Sequence, residues 1–168
     1  MAPVTRIRAE VSMKASAEAA WTRLINTTTW PEWNSFVPGA DPIFRSDDLC
    51  DSPTTLRLGS CYRFIANMRG RKWASRQRVT VFETPQPEDV RKVWRISWEV
   101  QGYPKFLFRT VRFNEIEEVT AEEGNECVYR TGEDQSGPLA YFVNWVFGRD
   151  IEKGIKNWAD DLKRTMEA

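Results

Sequence analysis

At the start of the chain, Thr5, Ile7, Ala9, Val11 and Met13 alternate with Arg6, Arg8 and Glu10. A period of two puts successive side chains on opposite faces, so "VTRIRAEVSM" predicts an opening strand. The period then lengthens. In "SAEAAWTRLIN", Ala17, Ala20, Trp21, Leu24 and Ile25 form one helical stripe behind Ser16, a natural N-cap, and predict a short helix ending near Asn26. Thr27 to Trp33 predicts a second short helical turn before "VPGADP" imposes an irregular exit. The stretch from Pro42 to Ser60 contains "SDDLCDSP", whose Asp, Ser and Pro read as loop interrupting an edge strand near Ile43.

Four strand patterns follow, "SCYRFIANM", "SRQRVTVFE", "RKVWRISWEV" and "FLFRTVRFNEIEEV", with "RGRKWA", "TPQPED" and "QGYPK" as connections. A last one, "CVYRTGEDQ", comes after "AEEGNE". Short connections between consecutive strands predict one antiparallel, strongly curled sheet. The chain closes on a single long helix that has Pro138 at its first position and Ile151, Ile155, Trp158, Leu162 and Met166 on one stripe. About thirty helical residues extend about 45 Å, enough to cross the concave face of such a sheet. Gly148 and Gly154 each weaken a helix by about 1 kcal/mol relative to alanine, which predicts a kink or a close packing contact there. The fold class is therefore α+β: a curved antiparallel sheet wrapped around a long C-terminal helix, with two short helices after the first strand.

The 168 residues suit one domain spanning 1–168. Lys plus Arg and Asp plus Glu number 24 each, so net charge selects neither nucleic acid nor an anionic membrane. The basic run "RGRKWASRQR" is balanced by "PEDV" and "EIEE" and reads as a solvated hairpin face. No apolar run approaches the roughly 20 residues of a membrane span, and a cytoplasmic protein without stable membrane insertion is expected. Cys50, Cys61 and Cys127 have neither disulfide-framework nor zinc-site spacing, and reduced thiols are expected. Histidine is absent, which removes histidine triads and histidine-ligated metals, so no metal and no cofactor is expected. Eight tryptophans remain as the outstanding feature.

Their placement offers candidate walls for an apolar small-molecule ligand. Trp30, Trp33 and Phe36 crowd "WPEWNSF", either as a plug at one end of the core or as the mouth of a ligand site. In "RKVWRISWEV", alternation turns Trp94, Ile96, Trp98 and Val100 inward. Tyr62, Phe64, Ala66 and Met68 share another strand face. Register is ambiguous in "FLFRTVRFNEI": either Phe106, Phe108, Thr110 and Arg112 face inward, or Leu107, Arg109, Val111 and Phe113 do. Either way one arginine enters, and a buried guanidinium needs a partner. Glu133, on the face of Tyr129 and Thr131, is that partner, with Arg112 preferred over Arg109. Asn144 is expected on the buried stripe of the long helix beside Tyr141 and Trp145.

The order of elements, together with "ASAEAAWTRLINTTTWPEWNSF", "LRLGSCYRF", "YRTGEDQSGPLAY" and "NWADDLKRTME", resembles the helix-grip fold of the START/SRPBCC superfamily, which includes the birch pollen allergen. The resemblance covers nearly the whole chain and looks closest to polyketide cyclase/dehydrase and lipid-transport-like members; "SDDLCDSP" looks like an insertion. It implies a deep apolar cavity between sheet and long helix. Two functions follow from it. One is a cofactor-independent cyclase, dehydratase or isomerase acting on a polyketide- or terpenoid-like substrate, with Glu133 as acid or base and Arg112 or Tyr62 polarising a carbonyl. The other is a non-catalytic carrier of lipid, quinone or another hydrophobic metabolite. Under both, Trp30, Trp33, Phe36, Phe64, Met68, Trp94, Trp98, Phe108, Tyr129, Tyr141, Asn144 and Trp145 are the expected ligand contacts.

Overall fold

A computed structural model describes residues 2–43, 54–121 and 124–168. The alternating opening segment forms β1 (Thr5–Met13), and the capped stripe after it forms α1 (Ala17–Ile25), where Ser16 Oγ accepts from the Ala19 amide at 3.2 Å. A 3-10 turn (Thr27–Thr29) and α2 (Trp30–Trp33) follow, then β2 (Gly39–Pro42), β3 (Cys61–Met68), β4 (Arg71–Glu83), β5 (Val93–Val100), β6 (Arg109–Ala121), β7 (Gly124–Ser136) and α3 (Pro138–Met166). The seven strands make one antiparallel sheet in the order β1-β7-β6-β5-β4-β3-β2. The first strand thus pairs with the last, and α3 returns along β1 and β7 and reaches β3.

Several boundaries differ from the sequence reading, each for a local reason. The edge strand lies at Gly39–Pro42, just ahead of Ile43. Most of "RGRKWA" belongs to β4: Met68 pairs with Arg71, so the hairpin narrows to Arg69 and Gly70, at φ 52° and 69°. Two consecutive positive φ values match the twist of the flanking strands, which composition alone does not reveal when one residue is arginine. "FLF" precedes β6, and β6 and β7 extend into "AEEGNE". "SDDLCDSP", with Cys50, lies outside the described residues.

The core gathers at one end beneath the sheet. Trp30 meets Trp158 edge to face at 5.0 Å, Trp33 meets Trp158 at 5.9 Å, and Phe64 links Trp30 and Trp98 at 5.2 Å to each. Gly154 is the close contact foreseen in α3: a Cβ there would stand 2.3 Å from the Phe36 ring.

Candidate functional site

Beside this aromatic cluster the space between sheet and α3 stays open, as a cavity of about 170 Å³. Its apolar wall includes Phe36 from the chain after α2, Phe64 and Met68 from β3, Trp98 from β5, Phe108, and Val143 from α3. Its polar wall is Ser75 and Gln77 from β4, Thr110 and Arg112 from β6, and Glu133 and Gln135 from β7. Cavities near 150 Å³ hold a molecule the size of benzene, whereas sites for drug-sized ligands run from about 300 Å³ upward. The deep cavity implied by the resemblance is therefore a compact one, because tryptophans fill the rest.

Strand pairing resolves the arginine ambiguity. Arg112 stands opposite Trp98 on β5 and Glu133 on β7 and is 4% exposed. Arg109 faces out and donates to Glu99 at 2.6 Å. Burial alone would raise the Glu99 carboxyl, but the hydrogen bond and charge of Arg109, with Lys105 nearby, hold it below the usual carboxylate range. Arg112 Nε donates to Thr131 Oγ1 at 3.0 Å, and the guanidinium lies 4.9 Å from the centroid of the Trp158 ring. Nη2 has no hydrogen-bond partner. Desolvation pulls the Arg112 pKa down, and Tyr129 and Glu133 oppose it. The expected Arg112–Glu133 salt bridge does not form among the described residues. Glu133 instead accepts from Gln135 Nε2 at 2.7 Å and acts on Arg112 as a charge without contact.

Of the expected ligand contacts, Phe36, Phe64, Met68, Trp98 and Phe108 line the cavity with Arg112 and Glu133. The others do not, and the reasons are geometric. Trp30 and Trp33 point from α2 into the packed cluster, where Trp30 Nε1 donates to Leu24 O at 2.9 Å and Trp33 Nε1 to Thr29 Oγ1 at 3.2 Å. Within "WPEWNSF" the tryptophans plug the core and Phe36 borders the cavity. Tyr62 directs its hydroxyl to Thr55 O at 3.0 Å, and Tyr129 to Asn114 Oδ1 at 2.7 Å. Trp94 packs half-buried against the core at the far end of β5. Tyr141, Asn144 and Trp145 are exposed, Trp145 at 82%. In this half of α3 the inward stripe runs through Ala140, Val143 and Phe147, and one residue along a helix turns about 100°, which carries Asn144 off it.

Gln77, Gln135, Val143 and Trp158 also line the cavity and were not singled out as site residues from sequence, and Thr110 was named only within the register that carries Arg112 inward. Trp158 sat on the apolar stripe of α3, and Thr110 and Gln135 continue the inward alternation of Arg112 and Glu133. Gln77 carried no signal. Among the described residues, no group of three or more His, Cys, Asp or Glu side chains is placed to hold a metal, and no helix is long and apolar enough to cross a membrane.

No family model matches the chain. Solved structures share the fold: a hypothetical protein from Helicobacter pylori (TM-score 0.70, 14% identity, 97% of this chain and 88% of that one) and a START superfamily protein from Mycobacterium smegmatis (0.52, 15%, 94% and 98%). A third is the di-domain ARO/CYC BexL from the BE-7585A biosynthetic pathway (0.58, 12%), matched over 98% of this chain and 50% of BexL. The oxopyrrolidines biosynthesis cluster protein O of Penicillium oxalicum is 30% identical over 167 residues, covering 92% of this chain and 83% of that protein. The chain belongs to this fungal protein's family, and its fold is that of the START-like structures. In this START-like chain the helix grip closes on less empty space than the resemblance implied, and the wall carries an incompletely paired arginine.

Proposed function

We propose that the protein is a biosynthetic cyclase-type enzyme that closes a ring in a compact carbonyl substrate. The observation that carries this reading is Arg112, a buried cation in the cavity wall with a free Nη2. A buried charge with an unused donor is costly unless something completes it, and such costs concentrate where chemistry is done. The biosynthetic names of the fungal relative and of BexL support the same reading. A volume of about 170 Å³ favours a substrate that folds to about one ring over an extended polyketide, a terpenoid or a lipid cargo.

The chemistry follows from the two charged groups. The Glu133 carboxylate takes a proton from the carbon between two carbonyls of the substrate. The C–H electron pair moves onto a carbonyl oxygen, which accepts a hydrogen bond from Arg112 as its charge grows. The resulting enolate carbon attacks the carbon of a third carbonyl, a ketone or aldehyde further along the same molecule, forming the ring C–C bond. The π pair of that carbonyl goes to its oxygen, which recovers the proton from Glu133. The apolar walls hold the chain folded, replacing a search in solution by a near-attack geometry.

The test is turnover of short linear β-dicarbonyl amides that carry a further ketone, followed by liquid chromatography that separates the cyclised isomer from its precursor. Arg112→Met is expected to lower kcat/KM by about 100-fold or more, as loss of an oxyanion donor does. Its urea midpoint should stay near wild type, because replacing a buried charge by an apolar chain of similar shape is often neutral. Wild-type turnover by both Arg112→Met and Glu133→Gln would overturn the assignment.

A further inference from the structure

We propose that the protein docks on the surface of an anionic lipid bilayer through the β3–β4 hairpin tip, the β5–β6 connection and the first half of α3. Cations of the hairpin lie on the headgroups, and exposed rings of α3 and the connection insert among them. The inference stands on the outer surface and holds whether or not the cavity turns its guest over.

Net charge is zero, yet the charges are unevenly placed. Between Cys61 and Arg78 the chain carries six cations and no carboxylate. Along the sequence, "PEDV" and "EIEE" balance this run; in the fold they lie at the other end of the sheet. From Arg71, β4 runs 13 residues to Glu83, about 40 Å of strand, before "PEDV" is reached. Glu115 and Glu117 of "EIEE" are taken by Arg91, Arg95 and Arg130. Exposed charges more than about 8–10 Å apart are largely screened at physiological salt, so the two groups do not balance. Within the hairpin, Arg63 has Asp41, Arg69 has Asp150, and Arg78 has Cys61 Sγ. Arg71, Lys72 and Arg76 have no ion pair among the described residues. Arg76 even stands directly across from Arg63, a like-charge pairing that disfavours the sheet until an anion relieves it.

The hairpin tip is fixed beside exposed aromatic surface. Arg69 donates to Val146 O and, at 2.8 Å, to Asp150 Oδ2, and Trp73 packs edge to face on Phe147 at 5.0 Å. On the same stretch of α3, Tyr141, Trp145 and Arg149 recur every four residues along the outward stripe, and Phe142 lies 6.2 Å from Trp145. The β5–β6 connection joins this surface where the Leu139 amide donates to Leu107 O at 3.1 Å, and it carries Phe106, 73% exposed. Nearby carboxylates are already answered: Asp150 by Arg69, Glu99 by Arg109 and Lys105, and Asp134 by Arg8, while Glu152 shares a groove with Arg6. Aromatic rings with Arg and Lys between them are the anchors of proteins that lie on membranes. Phe106 and Trp145 stand proud of the surface, so a protein partner would need a socket for each ring, whereas a headgroup layer yields to both.

The experiment floats the full chain on vesicles of phosphatidylcholine containing about one third phosphatidylserine, and on phosphatidylcholine alone. Wild type is expected to float with the anionic vesicles, at least about tenfold less with the neutral ones, and to come off at high salt. Changing both Arg71→Gln and Lys72→Gln should lower partition by about 30-fold, since each cation near an anionic surface contributes about fivefold. The double change Arg91→Gln and Lys92→Gln, at the other end of the sheet, should leave partition unchanged. Lipids brominated along the acyl chain should quench tryptophan emission in wild type and much less in Trp145→Phe. Arg71, Lys72 and Trp145 are exposed, so urea midpoints should stay near wild type. Absence of flotation, equal flotation on neutral vesicles, equal loss from the two double changes, or undiminished quenching in Trp145→Phe overturns the proposal. Binding of soluble polyglutamate without flotation also overturns it and assigns the face to an acidic protein. Flotation without cyclisation of linear substrates overturns the enzyme reading alone; cyclisation without flotation overturns this one alone.

Discussion

The two ends of the interior are built from the same sheet and the same helix, yet one is packed and the other is hollow. At the packed end Trp30, Trp33, Trp98 and Trp158 contact one another at 5.0–6.4 Å, and Tyr129, Thr131 and Asn114 close a buried hydrogen-bond network of 2.7 and 2.9 Å links. At the hollow end Phe36, Phe108 and Val143 line open space, and Arg112, Gln77 and Gln135 each keep a polar atom unpaired. Buried polar groups are ordinarily paired, and Arg112, Gln77, Gln135 and Trp158, each with one buried atom unpaired, are all among the residues that line this volume. The packed end holds the fold and sets Arg112 over Trp158, while the hollow end is the less filled one.

The contrast breaks most sharply by mutation at the packed end. Trp30→Ala removes the fully buried hub of the cluster and should cost about 3–5 kcal/mol in urea unfolding. Val143→Ala on the cavity wall should cost about 1 kcal/mol, since its few methyl groups are only partly buried and border space that is already open. Equal losses for the two would mean that the ends do not differ in packing.

A subtler contrast lies within α3. A Cβ on Gly154 would stand 2.3 Å from Phe36, so Gly154→Ala must drive the ring toward the cavity, at about 1–3 kcal/mol. A Cβ on Gly148 would meet only Asn144 Oδ1, the tip of an exposed side chain, and the better helix propensity of alanine there should stabilise by up to about 1 kcal/mol. Thermal melts of both variants should move in opposite directions. Guest binding should fall for Gly154→Ala alone.

Much of the fold was legible because local chemistry and global pattern agree. Ser16 caps α1 as its position demanded, Pro138 opens α3, and alternation turned Trp98, Phe64 and Arg112 inward. The site was legible only in part. "FLFRTVRFNEI" has the same period in either register, and the choice of Arg112 over Arg109 is made by pairing with β5 and β7. From Tyr141 to Phe147 apolar residues cover nearly the whole helix circumference, so periodicity could not show that Tyr141 and Trp145 face away. Tryptophan count suggested a large aromatic-walled cavity, whereas indoles fill space as readily as they border it; Trp30 and Trp33 do the first and Trp98 the second. Glutamines at 77 and 135 look like ordinary polar strand positions until the fold brings both into the lining of one cavity.

The central claim, that the hollow end is the guest site, is tested most directly by following the tryptophan indole N–H resonances in a ¹⁵N–¹H spectrum while acetylacetone, a compact β-dicarbonyl, is added. Trp98 and Trp158, which line the cavity, should shift and saturate together, while Trp33 in the packed end and exposed Trp145 on α3 stay in place. Movement of Trp145 with Trp98 and Trp158 unchanged, or no movement of any indole, would contradict it.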